Sequence, residues 1–256
     1  MRFYRIDHHG TPRFVVDDGR AWQLVEGDIF GDWKAGASIA PNGHRLLAPL
    51  VPSKIVAIGR NYKDHAAELG NPLPAEPMIF LKPPSAIIGP DDPIVIPAGV
   101  GRVDHEAELG VVIGTRARHV KEQDASRYVF GFTCVNDVTA RELQKKDIQF
   151  TRAKGFDTFA PVGPCIVTGL DYHAPDGLLV EGYVNGERRQ SGSTKSLIFP
   201  IDQLIAFVSA VMTLLPGDII STGTPAGVGP MHAGDSVTIK VSGVGELTNP
   251  VEHEGA

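Results

Sequence analysis

The sequence predicts an α+β fold built mainly of β-sheet, with a small β module over residues 1–52 ahead of a body over residues 53–256. Three observations carry this expectation. Short apolar or alternating runs recur without the regular strand–helix alternation of a doubly wound sheet. Glycine (29) and proline (20) are abundant and mark many turns. Only residues 201–215 read as a long helix, closed by Pro216-Gly217. With 256 residues, 42% of them hydrophobic, the chain can bury a full core.

The elements follow in order. Residues 2–6, 13–16 and 21–25 read as short strands, with His9-Gly10 and Asp18-Gly19 as the turns between them. Pro49 and Pro52 bracket a linker. Residues 55–58 form a buried-type strand ended by Gly59. Residues 61–70 are a short helical stretch with Gly70 as its stop, and the proline-rich run from Asn71 to Pro77 cannot continue it. Residues 78–81, 94–96 and 128–135 are further strands. Thr139-Ala140-Arg141-Glu142 has the spacing of a capping box and predicts a helix to about Lys146. Asn185-Gly186 joins residues 178–184 and 188–190 as a hairpin. Residues 218–221 and 236–241 are strands around a glycine-rich stretch from Thr222 to Gly229.

The chemistry starts at Glu106-Ala107-Glu108. Leu109, Val111 and Ile113 alternate after it, so the segment reads as a strand, where residues i and i+2 share a face. Two carboxylates whose Cα atoms lie roughly 6.5 Å apart by strand rise then project together. Either that face is solvated, or a cation lies between them. Asp137, at the end of the next long strand, either caps a turn or completes three carboxylate ligands. Three hard oxygen donors suit Mg²⁺, Mn²⁺ or Ca²⁺.

His65 and Glu68 are three apart on a helical stretch, a solvated pair or a carboxylate-oriented base able to activate water on a moving lid. Arg141 and Gln144 have the same spacing and suit a substrate carboxylate or carbonyl. Lys154 lies before Gly155, which permits close approach to a ligand. Gly223-Thr224-Pro225-Ala226-Gly227-Val228-Gly229 lacks the Gly-Lys-Ser/Thr of a phosphate loop, which leaves a tight loop offering Thr224 to a substrate. Cys134 and Cys165 read as inert core thiols. Net charge is −6 with no basic cluster, so nucleic-acid binding is not expected. The apolar runs are too short to span a bilayer and the start lacks the apolar core of a signal peptide, so a cytoplasmic protein is the expectation.

These pieces together resemble the fumarylacetoacetate hydrolase family, in its smaller acylpyruvate hydrolase and oxaloacetate decarboxylase branch. The resemblance rests on Gly59-Arg60-Asn61-Tyr62-Lys63-Asp64-His65, Phe80-Leu81-Lys82-Pro83, His105-Glu106-Ala107-Glu108-Leu109, Asn136-Asp137-Val138-Thr139-Ala140-Arg141, Ala153-Lys154-Gly155-Phe156-Asp157 and the Thr222–Gly229 loop, in the family's order from about residue 55 onward. It implies a mixed β-sandwich roll, usually a homodimer, with Mg²⁺ or Mn²⁺ on Glu106, Glu108 and Asp137. It implies that His65 and Glu68 are a water-activating dyad, and that Lys154, Arg141, Gln144 and Thr224 contact a small 2-oxo acid. Three reactions fit it: hydrolysis of a β-dicarbonyl 2-oxo acid, decarboxylation of a β-keto acid such as oxaloacetate, and isomerisation of an unsaturated dioate from aromatic-compound catabolism. Two other classes also fit the residues: a non-catalytic carboxylate binder and a calcium-stabilised structural domain.

Overall fold

The structure is a computed structural model that describes residues 1–68 and 72–255. The Gly70 helix stop and Asn71 lie outside the described residues. Alternation along the strand Ala107–Ile113 sets the architecture. Ala107, Leu109, Val111 and Ile113 enter one hydrophobic core, while Val112 enters a second on the opposite face. The strand is therefore buried on both sides, and the solvated-face alternative for Glu106 and Glu108 does not hold.

The strand is central in a 12-stranded sheet. Along its main path the order is Trp33–Ile39, Trp22–Gly27, Thr11–Asp17, Arg2–His8, Ala160–Val167, Val129–Asn136, Ala107–Ile113, Ile219–Ser221, Ile55–Gly59 and Met78–Lys82. A five-stranded sheet, Glu187–Ser193, Leu179–Val184, Ser236–Val241, Gly245–His253 and Ile94–Ile96, packs against it. Val180, Ile239 and Leu247 meet Leu109 and Val111 in the core between the two layers. A small sheet of Thr139–Ala140, Val103–His105 and Gly229–Pro230 sits at one end. The fold is mainly β and is a sandwich of mixed sheets.

The N-terminal strands form where the turns put them, at His9-Gly10 and Asp18-Gly19. They extend the main sheet, since Arg2 and Phe3 pair with Val167 and Ile166. Phe3, Val16 and Val25 fill the second core together with Val112, Val135 and Ile219. Asn185 (φ 52) and Gly186 (φ 78) are both left-handed, as a two-residue hairpin turn requires.

Two local expectations fail. The long helix spans Ile201–Val211 and stops short of Leu215. Its last carbonyls, on Ser209 and Ala210, accept from Arg118 at 2.6 Å each, and Leu214 instead pairs with Ala117. Tertiary pairing outcompetes local helix preference there. The capping box at Thr139 does not form, because Thr139 belongs to a strand and its hydroxyl donates to the Asp137 carbonyl (2.8 Å). The helix Arg141–Lys146 starts without a side-chain cap. Among the described residues, no helix is long and apolar enough to cross a membrane.

Candidate active site

Glu106 falls in the one-residue gap between the strands Val103–His105 and Ala107–Ile113. Its backbone fixes Asp137 beside it. The Glu106 amide donates to Asn136 Oδ1 (3.0 Å), and the Asp137 amide donates to the Glu106 carbonyl (2.9 Å). Glu108 is aimed by the loop after Ile219–Ser221. Ser221 Oγ donates to Glu108 Oε2 (2.5 Å), as does the Gly223 amide (2.9 Å). Gly223 sits at φ +98, so glycine suits this close approach. The three carboxylates are buried, and one oxygen from each lies within 4.8 Å of the others.

Cations surround this cluster. Lys154 Nζ donates to Glu106 Oε2 (2.8 Å), Asp137 Oδ2 (2.6 Å) and Thr139 Oγ1 (2.7 Å). Lys82 Nζ donates to Asp137 Oδ1 (2.6 Å). Arg141 spreads its guanidinium over Asp104 Oδ2 (2.7 Å from Nε), Gln144 Oε1 (2.8 Å from Nη1) and Glu106 Oε1. Burial pushes the Glu106 carboxyl up, but Lys154, Arg141 and His65 outweigh it and hold it well below the usual range. Burial, then Asp137 and Glu106, push Glu108 well above it. Burial lowers Lys82 despite Asp137, whereas Asp137 and Glu106 overcome burial to raise Lys154. The lysines thus pair with Glu106 and Asp137, while Glu108 faces these two anions with no ion pair of its own among the described residues. A divalent cation between the three carboxylates resolves that conflict, and an all-oxygen donor set fits a hard ion. The three carboxylates that the sequence grouped do meet in one buried cluster.

The helix Lys63–Glu68 brings His65 to the cavity that the three carboxylates line. His65 Nδ1 meets Glu68 Oε2 at 3.0 Å, and Glu68 Oε1 accepts from the Gly227 amide (3.1 Å). His65 is buried, so the pair is not a solvated surface pair. With Nδ1–H given to the carboxylate, Nε2 is the nitrogen left as a base. Asn61 anchors the segment's start: its amide donates to the Phe199 and Thr222 carbonyls (3.1 and 2.8 Å) and its oxygen accepts from the Phe199 amide (2.8 Å).

One cavity of about 380 Å³ joins these groups, lined by His65, the three carboxylates, Arg141, Gln144, Lys154 and Thr224, with apolar walls from Met78, Phe80 and Phe150. All nine sequence-predicted site residues except Glu68 line it, and Glu68 acts on it through His65. The Thr224 hydroxyl is already engaged, donating to the Ala107 carbonyl (2.8 Å) and accepting from Gln190 Nε2 (2.7 Å). Gly155 does not line the cavity; a Cβ there would collide with the Thr151 carbonyl.

Lys82, Asp104, Gln190 and Ser221 are the buried polar residues that sequence reasoning missed. Lys82 stands in a quoted motif, but a lone lysine at a strand end gives no signal of burial. Asp104 and Gln190 are tied to the site across 37 and 34 residues, to Arg141 and Thr224. His105 turns away and bonds Gln190 (3.0 Å), as strand alternation predicts. Both cysteines are buried, and burial pushes the Cys165 thiol up to about 11.

The family model described as Fumarylacetoacetate (FAA) hydrolase C-terminal matches residues 54–252, and one described as Rv2993c-like, N-terminal matches residues 1–49. Protein Rv2993c of Mycobacterium tuberculosis is 48% identical over 246 residues, covering 96% of this chain and 85% of that protein. The crystal structure of 5-carboxymethyl-2-hydroxymuconate delta-isomerase from Mycobacterium smegmatis is 45% identical, with a TM-score of 0.91 over 99% of this chain and 100% of that one. Maleylpyruvate hydrolase from Sphingobium sp. SYK-6 is 35% identical, with a TM-score of 0.83 over 99% and 100% of the two chains.

Proposed function

Because the chain belongs to the fumarylacetoacetate hydrolase family and is one of its enzymes, we propose that it hydrolyses a carbon–carbon bond in a β-dicarbonyl 2-oxo acid of acylpyruvate type. Its cofactor in this reading is Mg²⁺, alternatively Mn²⁺ or Ca²⁺, on Glu106, Glu108 and Asp137. A divalent ion there would supply Lewis-acid polarisation of the keto and carboxylate oxygens at the 2-oxo acid end.

The chain's own residues do the rest. Gln144 accepts from Arg141, so its amide nitrogen, without a partner among the described residues, is a donor for the substrate. His65 takes a proton from water at Nε2, because Glu68 holds Nδ1 and Gly227 holds Glu68. The hydroxide adds to the distal acyl carbonyl, and Lys154 stabilises the charge on its oxygen by exchanging one of its contacts to Glu106, Asp137 or Thr139 for it. Carbon–carbon cleavage then yields a carboxylic acid and the enolate of a 2-oxo acid. The His65 imidazolium returns its proton to the enolate carbon.

The observation that carries a catalytic reading is the buried His65, oriented by Glu68 at the cavity that the three carboxylates line, since a mere carboxylate binder has no use for an oriented base. A second reading, enol–keto isomerisation of an unsaturated 2-oxo dioate, draws on the delta-isomerase neighbour and needs only proton movement by His65. Incubation of the Mg²⁺-loaded protein with acetylpyruvate, oxaloacetate and 2-hydroxyhepta-2,4-diene-1,7-dioate, followed by NMR, separates the readings. Acetate and pyruvate from the first compound support hydrolysis, conversion of the dienedioate alone supports isomerisation, and no turnover of any sinks both. The same reading carries a cytoplasmic homodimer; light scattering after size exclusion tests the dimer.

A further inference from the structure

The cavity holds more positive charge than the reacting end of a 2-oxo acid uses. Lys82, Lys154 and Arg141 are all committed to carboxylates of the site. Two other cations, Arg60 and Lys145, line the same cavity. Among the described residues, neither side chain makes an ion pair or a hydrogen bond. Arg60 is half-buried, and its φ of 55 is left-handed, a conformation that large side chains seldom adopt. Lys145 is exposed and directly follows Gln144 on the helix Arg141–Lys146. A half-buried guanidinium without a partner is a strong, forked receptor for a carboxylate. An exposed ammonium at the same cavity attracts the same charge at longer range. Met78, Phe80 and Phe150 add apolar wall suited to a hydrocarbon chain.

We propose that Arg60 and Lys145 bind a second carboxylate at the far end of the substrate, and so select 2-oxo dicarboxylic acids over 2-oxo acids with an apolar tail. The inference rests on the 2-oxo acid reading of the site and adds the residues that read the other end. It is tested by binding rather than turnover. Calorimetric titration of the Mn²⁺-loaded protein compares 2-oxoadipate with 2-oxohexanoate, which share the 2-oxo acid end and differ in the terminal carboxylate. A second pair one methylene longer, 2-oxopimelate and 2-oxoheptanoate, covers the reach of the cavity.

The dicarboxylate of at least one pair binds about tenfold or more tighter in the wild type, the scale of one charge-assisted contact. In the double variant Arg60→Asn, Lys145→Gln the ratio within that pair falls to about one. Asparagine tolerates the left-handed backbone at position 60 and Lys145 is on the surface, so the variant keeps its fold. Equal binding within both pairs by the wild type, or a preference that survives in the double variant, overturns the proposal. In those outcomes the ion-dependent binding of both acids leaves the 2-oxo acid reading standing. If none of the acids binds, that reading falls and takes this inference with it.

Discussion

The floor of the cavity and its lid are built in opposite ways. Each carboxylate of the floor is held by several partners: Ser221 and Gly223 on Glu108, Lys82 and Lys154 on Asp137, Lys154 and Arg141 on Glu106. Ser221 and Lys82 stand on strands and Gly223 on the loop that follows Ser221, while Arg141 and Lys154 are buried on the short helices Arg141–Lys146 and Thr151–Lys154. The helix Lys63–Glu68, the lid in the proposed reading, is six residues long, and among the described residues one hydrogen bond, from the Gly227 amide to Glu68, ties the His65–Glu68 pair to the body. Its start is pinned by Asn61, while the Glu68 side chain is 35% exposed. A ligand cluster needs preorganisation, because mutually repelling anions must be held together before a cation arrives. A proton-transfer pair must admit substrate and then close, so a single releasable contact suits it.

Four measurements sharpen or break this contrast, from the largest effect to the smallest. Replacing the lid's base, His65→Ala, lowers kcat by about 10²–10⁴-fold, the usual contribution of general acid–base catalysis. Mn²⁺ affinity, read by calorimetry, stays within about twofold; a comparable loss of affinity would mean that His65 belongs to the floor. Lys82→Met removes a buried partner of Asp137 and destabilises the metal-free protein by about 3–5 kcal/mol, measured by urea unfolding. With saturating Mg²⁺ the loss shrinks, since the added positive charge replaces that of Lys82; equal losses in both states would contradict a shared electrostatic role. Chelation alone lowers stability by about 2.7 kcal/mol relative to protein at a hundred times the dissociation constant. A melting temperature indifferent to EDTA would argue that the triad holds no ion. Ser221→Ala deletes one donor to Glu108 at a cost of about 1–2 kcal/mol, seen as roughly tenfold weaker metal binding. Unchanged affinity would show that the Gly223 amide suffices to aim Glu108.

Legibility in the sequence followed the range of the interaction. The i, i+2 pair Glu106 and Glu108 and the i, i+3 pairs His65–Glu68 and Arg141–Gln144 were readable because strand and helix periods place those side chains together. Asn185-Gly186 was readable because few residues accept two successive left-handed positions. Lys82 and Asp104 were not, since nothing local distinguishes a lysine that will meet Asp137 across 55 residues from one that will face water. The end of the long helix was misjudged for the same reason. Residues 212–215 are apolar enough to continue it, and Arg118 on the Ser209 and Ala210 carbonyls together with the pairing of Leu214 with Ala117 stops it.

What the sequence alone determined is therefore many of the strands, though not Trp33–Ile39, Ala160–Val167 or Gly245–His253, together with several turns and the residue types brought to one face. Backbone sterics and side-chain periodicity act over a few residues and need no partner. Tertiary structure alone decided that the carboxylate face is buried rather than wet, which cations pair with Glu106 and Asp137, and which, at Arg60 and Lys145, have no partner among the described residues. Those outcomes depend on desolvation and on charges meeting from distant segments, and neither exists until the sheets have packed.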